Sequence, residues 1–471
     1  MSIRISHAFP SLASPETSVP REQYRQMVSV ATKPDLKVQK SGNAPAILDM
    51  PLQDIIGWLL ICGCSFLNLA NVLVDKDEVG LDFQVLAKLG LIGMGGLYGL
   101  HGILTRPRAR SLLLSFPVAW LLIIAGFYFL AVPFSVSPRN SLVSTCSIIA
   151  VILLTVTALD HLGVMKTVKA MFAGMALFIV GSWFFYFAFP EIGVLAEPIP
   201  GGEFVYRMSG LAHANTLGQY SALTVVLCVI LFFSYKQRSM LIVVIGVLAF
   251  GALLGSWSRT SIMACGLALI VGYRHIYLRK EFLGMYMLAA ALLLLSVLVM
   301  STQVDLGEKI ASKMELLSKS DDAEELTTAT GRSVIWAHAI YLLQDQPVTG
   351  YGAATQKIHF EDHSLYTHNM ILNIAFSAGI FAGIAAVLMI LGRLRSLFFN
   401  RHPLADAIVV FIIINGLFEN VIFSILAGLP TMLWVLALAW PLLLDDPAVR
   451  ELDRSDRQPG DTRTRFLRLE S

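Results

Sequence analysis

Four short polar stretches interrupt an apolar chain: RMSGLAHANTLGQ at 207–219, GSWSRTS at 255–261, TGRSVIW at 330–336 and HSLYTHNMILN at 363–373. Two of them set an arginine among small residues. Arg259 lies between two apolar runs, where a permanent charge is costly and persists where it is paired or used. A lone arginine there can also simply obey topology or meet a lipid phosphate. Arg332 follows Gly331 at the head of a helical pattern, and free backbone N–H groups at a helix start favour an anion. The alternative is a Thr330 cap with Arg332 solvated. A guanidinium fork matches two phosphate oxygens and keeps its charge at any relevant pH. Two such forks at one membrane face suit a lipid diphosphate whose charge no metal neutralises.

His368 stands just before an apolar run that continues to Leu391. An unperturbed imidazole titrates near ~6.5, so it can take a hydroxyl proton at neutral pH. The next residue, Asn369, suits a helix cap or a sugar hydroxyl. Against a base stands the reading of His368 and Tyr366 as amphipathic interfacial rings. His363, His359 and His213 compete for the role, with Asn215 as a cap ahead of Leu217, while His338 falls on a helix and reads as structural. Glu419 and Asn420 are polar within apolar surroundings; they line the pocket, pair with an arginine or bond one helix to another. No glycine-rich phosphate loop, zinc-protease signature or Ser-His-Asp pattern occurs. The acidic pairs Asp321-Asp322 and Glu324-Glu325 form no metal-binding spacing, so neither a metal nor a cofactor is expected.

The elements that must position these groups follow from composition. Hydrophobic types make up 56% of 471 residues and charged types 14%, a balance that excludes an ordinary soluble domain. A net charge of +2 gives no reason to expect a nucleic-acid partner. The five cysteines all lie in apolar segments and read as small hydrophobes. Stretches of about 17–25 apolar residues recur at 54–74, 83–104, 111–132, 142–160, 170–189, 216–234, 240–257, 260–277, 282–301, 369–391, 404–424 and 427–445. The expectation is an all-α integral membrane protein of about twelve transmembrane helices, with a large extracytoplasmic loop at 302–368 between helices nine and ten.

Basic residues orient it. Arg106, Arg108, Arg110, Lys166, Lys169, Lys236, Arg238, Arg274, Arg393 and Arg395 fall in even-numbered gaps, whereas the short odd-numbered gaps hold at most one basic residue each. This places both termini in the cytoplasm and all four polar stretches on the exterior side. Residues 1–50 and 446–471 read as polar, disordered cytoplasmic segments flanking a transmembrane unit at 51–445. Within the loop, SVIWAHAIYLL at 333–343 predicts a helix with Trp336, Ile340 and Leu343 on one side, lying on the membrane or capping a cavity.

At these residues the chain resembles the O-antigen ligase and polysaccharide polymerase superfamily. GLAHANTLG at 210–218 resembles the family's stretch opening a central span, and SWSRTS at 256–261 its serine–arginine turn. TGRSVIW, with PVTGYG at 347–352 after it, resembles the glycine–arginine helix start and the following GyG element. THNMILNIAFSAGIFAG at 367–383 resembles the histidine–asparagine helix start. The resemblance covers roughly 200–390; the earlier spans match only in number and hydropathy. One departure is His213-Ala214 ahead of Asn215, where relatives often end in proline or lysine.

The resemblance implies an inverting, metal-independent transfer of glycan from undecaprenyl diphosphate at the periplasmic face of the bacterial inner membrane. It assigns Arg259 and Arg332 to the diphosphate and His368 to the base. His213, Asn215, Tyr351, Tyr366 and Asn369 join them as candidate substrate contacts. The acceptor is another lipid-linked glycan for a polymerase, as in exopolysaccharide or O-antigen synthesis, or lipid A-core for a ligase. A chain-length regulator and a flippase of the same pathway are the implied partners. The compact TGRSVIW and PVTGYG elements resemble the exopolysaccharide-polymerase branch more than the ligases. Twelve spans with interior termini also suit a transporter, but transporters set their ionisable residues near mid-membrane, and here they gather outside.

Overall fold

Apolar runs punctuated by proline, serine and glycine fold as helices, because in lipid a helix satisfies every backbone polar group within itself. The computed structural model describes residues 50–66, 83–198, 204–274, 332–360, 367–399, 402–423 and 426–443. The expected ninth span, the loop residues 302–331, both terminal segments apart from Met50, and the candidates His363 and Tyr366 lie outside those residues. The described residues from Pro51 onward belong to one compact unit.

In chain order the helices are α1 (Leu52–Phe66), α2 (Phe83–Thr105), α3 (Pro107–Leu114), α4 (Phe116–Ala131), α5 (Pro138–His161) and α6 (Val164–Ala188). A hairpin of β1 (Val194–Pro198) and β2 (Phe204–Met208) follows. Then come α7 (Ala214–Phe233), α8 (Met240–Gly255), α9 (Arg259–Gly272), α10 (Arg332–Asp345), α11 (Met370–Ala378), α12 (Ile380–Phe399), α13 (Pro403–Gly416) and α14 (Leu429–Leu443). Proline opens α3, α4, α5 and α13, where its missing N–H costs nothing. The protein is an all-α membrane protein. Among the described residues five helices are long and apolar enough to cross a membrane, and five shorter apolar helices accompany them.

The helices pack in neighbouring pairs: α2 on α5, α7 on α8, α9 on α13 and α1 on α6. Every residue of α14 from Thr431 to Trp440 is buried, which marks it as the bundle's central helix. Its unbroken apolar sequence fits that place, since no side faces away from protein.

Three expected spans end differently. The stretch 111–132 is two helices, interrupted at Ser115, which is extended. Pro117 explains the break: in a continuous helix it would lack an N–H to donate and its ring would meet the preceding turn. The stretch 369–391 divides at Gly379, whose φ is +86°. There the Pro347–Gly352 loop wedges against the chain, with the Ile380 N–H donating to the Pro347 carbonyl at 2.8 Å, Tyr351 N–H to Phe376 O at 2.8 Å and Gly352 N–H to Ser377 O at 3.0 Å. A Cβ on Gly379 would collide with the Val348 carbonyl. The stretch 404–424 is helical only to Gly416, so Glu419 and Asn420 stand beyond the helix.

Helix α10 covers the expected 333–343, but its buried side is another one. Ile335 and Ala339 pack with Tyr351, Phe360 and Phe376 in a small separate core, while Ile340 is exposed. The β1–β2 hairpin is antiparallel, with Leu195 opposite Arg207 and Glu197 opposite Val205, a feature the hydropathy pattern did not announce.

Candidate functional site

Three helix starts and one helix end converge on a single carboxylate. Glu419 follows the C-terminus of α13, where its N–H donates to the Asn415 carbonyl at 2.8 Å. Its Oε1 accepts from Arg332 Nη2 at 2.9 Å and from Asn215 Nδ2 at 3.1 Å. Its Oε2 faces His368 Nδ1 at 3.2 Å.

Each partner is placed by its own element. Arg332 is the first residue of α10, and its guanidinium lies 6.0 Å from the centre of the Phe418 ring. One turn along the same face, Trp336 donates its indole N–H to the Thr367 carbonyl at 2.9 Å. That bond tethers the residue preceding His368. His368 itself has φ +48°, a left-handed conformation uncommon outside glycine and held only where the surroundings fix it. Asn369 supplies the fixing: its Oδ1 caps α11 by accepting from the Leu372 N–H at 2.9 Å, and its Nδ2 donates to the Leu417 carbonyl at 3.1 Å.

Asn215 is the second residue of α7, and its N–H donates to the ring Nδ1 of the capping His213 at 3.3 Å. Its Oδ1 accepts from Arg207 Nη2 at 2.6 Å. Arg207 also pairs with Glu197 at 2.7 Å and donates through Nε to the Ser256 carbonyl at 2.8 Å. Arg207, within the 207–219 stretch, and Glu197 extend the candidate site beyond the residues that the sequence singled out. Their signal was diagonal placement across a hairpin, which shows only once the strand register is known.

Arg259 opens α9 at the same end of the bundle. Ser258 beside it packs against Gly218 of α7, where a Cβ would strike the serine. Below them Ser258 Oγ donates to Ser261 Oγ at 2.9 Å, Asn415 Nδ2 to Ser261 Oγ at 3.1 Å and Gln219 Nε2 to Asn415 Oδ1 at 3.1 Å. This buried ladder stitches α7, α9 and α13 together directly under the Glu419 cluster. Arg259 is exposed, and its side chain has no hydrogen bond or ion pair among the described residues.

The protein packed around His213 and the Arg207 guanidinium hold its imidazole below the ordinary range, although the residue is exposed; Glu197 and Glu419 pull the other way. Tyr351 sits in the small core. Its ring stacks on Phe376 with centroids 5.0 Å apart and its hydroxyl donates to the Leu342 carbonyl at 2.8 Å. His359 packs on the Tyr351 ring, and His338 packs on Phe360. An apolar groove on α4, lined by residues including Leu122, Gly126, Phe129 and Leu130, shares no residue with the Glu419 cluster. Among the described residues no group of three or more His, Cys, Asp or Glu side chains is spaced to hold a metal ion.

Residues 244–387 match the family model described as O-antigen ligase (Wzy_C). This match, over residues 244–387 of the chain, supports the O-antigen ligase and polymerase superfamily. The O-antigen ligase match runs from within α8 into α12 and contains Arg259, Arg332, Tyr351, His368 and Asn369. Arg207, His213, Asn215 and Glu419 lie outside it. No curated protein matches the chain. The match supports a ligase- or polymerase-type role in glycan assembly, on lipid-linked glycans in general.

Chemically, the arrangement offers a guanidinium fork at Arg332 beside an imidazole at His368, and a second cation, Arg259, at the same end without a counter-ion among the described residues. Such a set can hold a polyanionic leaving group and accept a proton next to it.

Proposed function

We propose that the chain is an inverting glycan polymerase of a bacterial inner membrane. It transfers an oligosaccharide repeat from undecaprenyl diphosphate to the end of another lipid-linked glycan at the periplasmic face. The observation that carries this reading is the shared carboxylate: Glu419 joins Arg332 and His368, the diphosphate and base candidates, within 3.2 Å of one side chain. The even-gap excess of arginine and lysine supports the orientation.

In the transfer, His368 takes the proton of an acceptor hydroxyl. The oxygen attacks the anomeric carbon and forms the new glycosidic bond on the face opposite the diphosphate. The old carbon–oxygen bond breaks with its electron pair going to the leaving undecaprenyl diphosphate, and configuration inverts. Arg259 and Arg332 hold that diphosphate and stabilise the charge that grows on it, in place of a metal ion. The imidazolium then returns its proton to water. Throughout, the isoprenoid stays in the bilayer, which accounts for chemistry built at the ends of membrane helices. Asn215 and Asn369 serve by holding Glu419 and the start of α11, since both side chains are engaged with protein.

The match to the O-antigen ligase model favours a second reading, a ligase that delivers the glycan to lipid A-core. Purified protein given a defined lipid-diphosphate repeat unit separates them. Longer lipid-linked chains identify the polymerase, and product only on added lipid A-core identifies the ligase. Movement of the donor across vesicles without any new glycosidic bond overturns both in favour of transport.

A further inference from the structure

Glu419 lies outside the matched stretch and takes no part in the bond changes described above. Its two oxygens are used differently. Oε1 is held by two groups that can only donate, the Arg332 Nη2 at 2.9 Å and the Asn215 Nδ2 at 3.1 Å. That fixes the rotation of the carboxylate and leaves Oε2 for the ring of His368, 3.2 Å from Nδ1.

A carboxylate oxygen can only accept, so a hydrogen bond at this contact requires the proton to sit on Nδ1. A neutral imidazole protonated at Nδ1 carries its lone pair on Nε2, the nitrogen away from Glu419. His368 is also fixed from its backbone, by its own left-handed φ of +48°, by the Trp336 bond to Thr367 and by the Asn369 cap. The ring therefore has a defined position, and the carboxylate supplies what position alone does not: the identity of the protonated nitrogen. We propose that Glu419 is the positioning residue that holds His368 in its Nδ1–H form, so that Nε2 is the atom that takes the acceptor proton. This rests on the reading of His368 as the base. The blander role, an ion pair that merely ties α10 to the end of α13, would need only Oε1.

Glu419→Gln separates the two roles. Its amide oxygen can keep both donors at the Oε1 position, while the amide NH2 then points at Nδ1 and donates to it. That moves the ring proton to Nε2, where it blocks the lone pair. The expected result is a kcat lower by on the order of 10³–10⁴, as when the carboxylate behind a catalytic histidine becomes an amide, with the donor KM within about threefold of the unaltered protein. Glu419→Asp keeps an acceptor and is expected to recover part of the lost kcat. Independently of turnover, ¹⁵N-histidine NMR of the unaltered protein should show the His368 proton on Nδ1, and of Glu419→Gln on Nε2. Two results overturn the proposal: a properly inserted Glu419→Gln protein with kcat within about threefold of the unaltered one, or a ring proton on Nε2 in the unaltered protein. If the unaltered protein forms no glycosidic bond with any lipid-diphosphate donor, the functional reading falls instead, and the NMR result alone decides the role of Glu419.

Discussion

Trp336 donates its indole N–H to the carbonyl of Thr367 at 2.9 Å, so the helix that begins with Arg332 also holds the residue in front of His368. The proposed diphosphate-binding arginine and the proposed base are thereby carried on one tethered unit. Trp336→Phe keeps the ring and loses the donor. Stability should fall by about 1 kcal/mol, the net worth of one such bond, and kcat by roughly tenfold as the imidazole wanders, with the donor KM little changed. Steady-state kinetics beside a melting curve will check it; a loss confined to KM would contradict the tether.

The two arginines should differ in what else they do. Arg259→Ala and Arg332→Ala are each expected to lower transfer by about 10²–10³-fold, by analogy with loss of one donor to a developing oxyanion. Arg332→Ala also takes a partner from Glu419, so its melting temperature should drop. Arg259 has no protein partner among the described residues, and its alanine variant should melt with the unaltered protein. Glycan-ladder gels and thermal unfolding in detergent read both effects, and equal melting shifts would refute the distinction.

At the far end of α9, α12 and α13, Asp406 is buried against Arg274 at 2.8 Å and Arg393 at 3.4 Å. Breaking a buried pair from one side leaves a charge without compensation, which costs about 3–5 kcal/mol. Asp406→Ala is therefore expected to be the most destabilising of these substitutions while leaving the donor KM of the surviving folded protein near normal. A folded, stable Asp406→Ala protein would show that solvent or lipid headgroups already neutralise the cluster.

His213 gives stability a pH dependence. Surrounding protein and Arg207 depress its folded-state affinity for a proton, whereas the unfolded chain takes one up through the ordinary range near ~6.5. The contribution is complete above that range and is lost as pH falls through the depressed folded value. His213→Asn retains a capping acceptor without titrating. Its melting temperature should fall less than that of the unaltered protein between about pH 7.5 and 5; parallel curves would remove His213 from the explanation.

Arg259, Arg332 and His368 were legible in the sequence because each sits where a helix begins, beside a residue with evident local reasons for a boundary: Ser258, Gly331 and Asn369. Counting spans then put them on one side. Glu419 was legible as a polar residue in apolar company with an arginine as one candidate partner, but not as the group shared by Arg332, Asn215 and His368. A buried irregular segment and a buried helix have the same apolar composition, so the stop at Gly416 left no trace in hydropathy. The break at Gly379 is set by a loop some thirty residues earlier in the chain, a contact no window can contain. On α10, periodicity identified a helix but not which side would be covered, since Trp336 and Ile335 are neighbours on adjoining faces.

Because the helical hydrogen-bond ladder is interrupted at Gly379, α11 and α12 are two rods joined at a corner instead of one continuous span. Gly383 of α12 rests against Ala375 of α11, and the Pro347–Gly352 loop clasps the joint through its backbone bonds to Phe376, Ser377 and Ile380, so the rod whose tip carries His368 is braced from two sides.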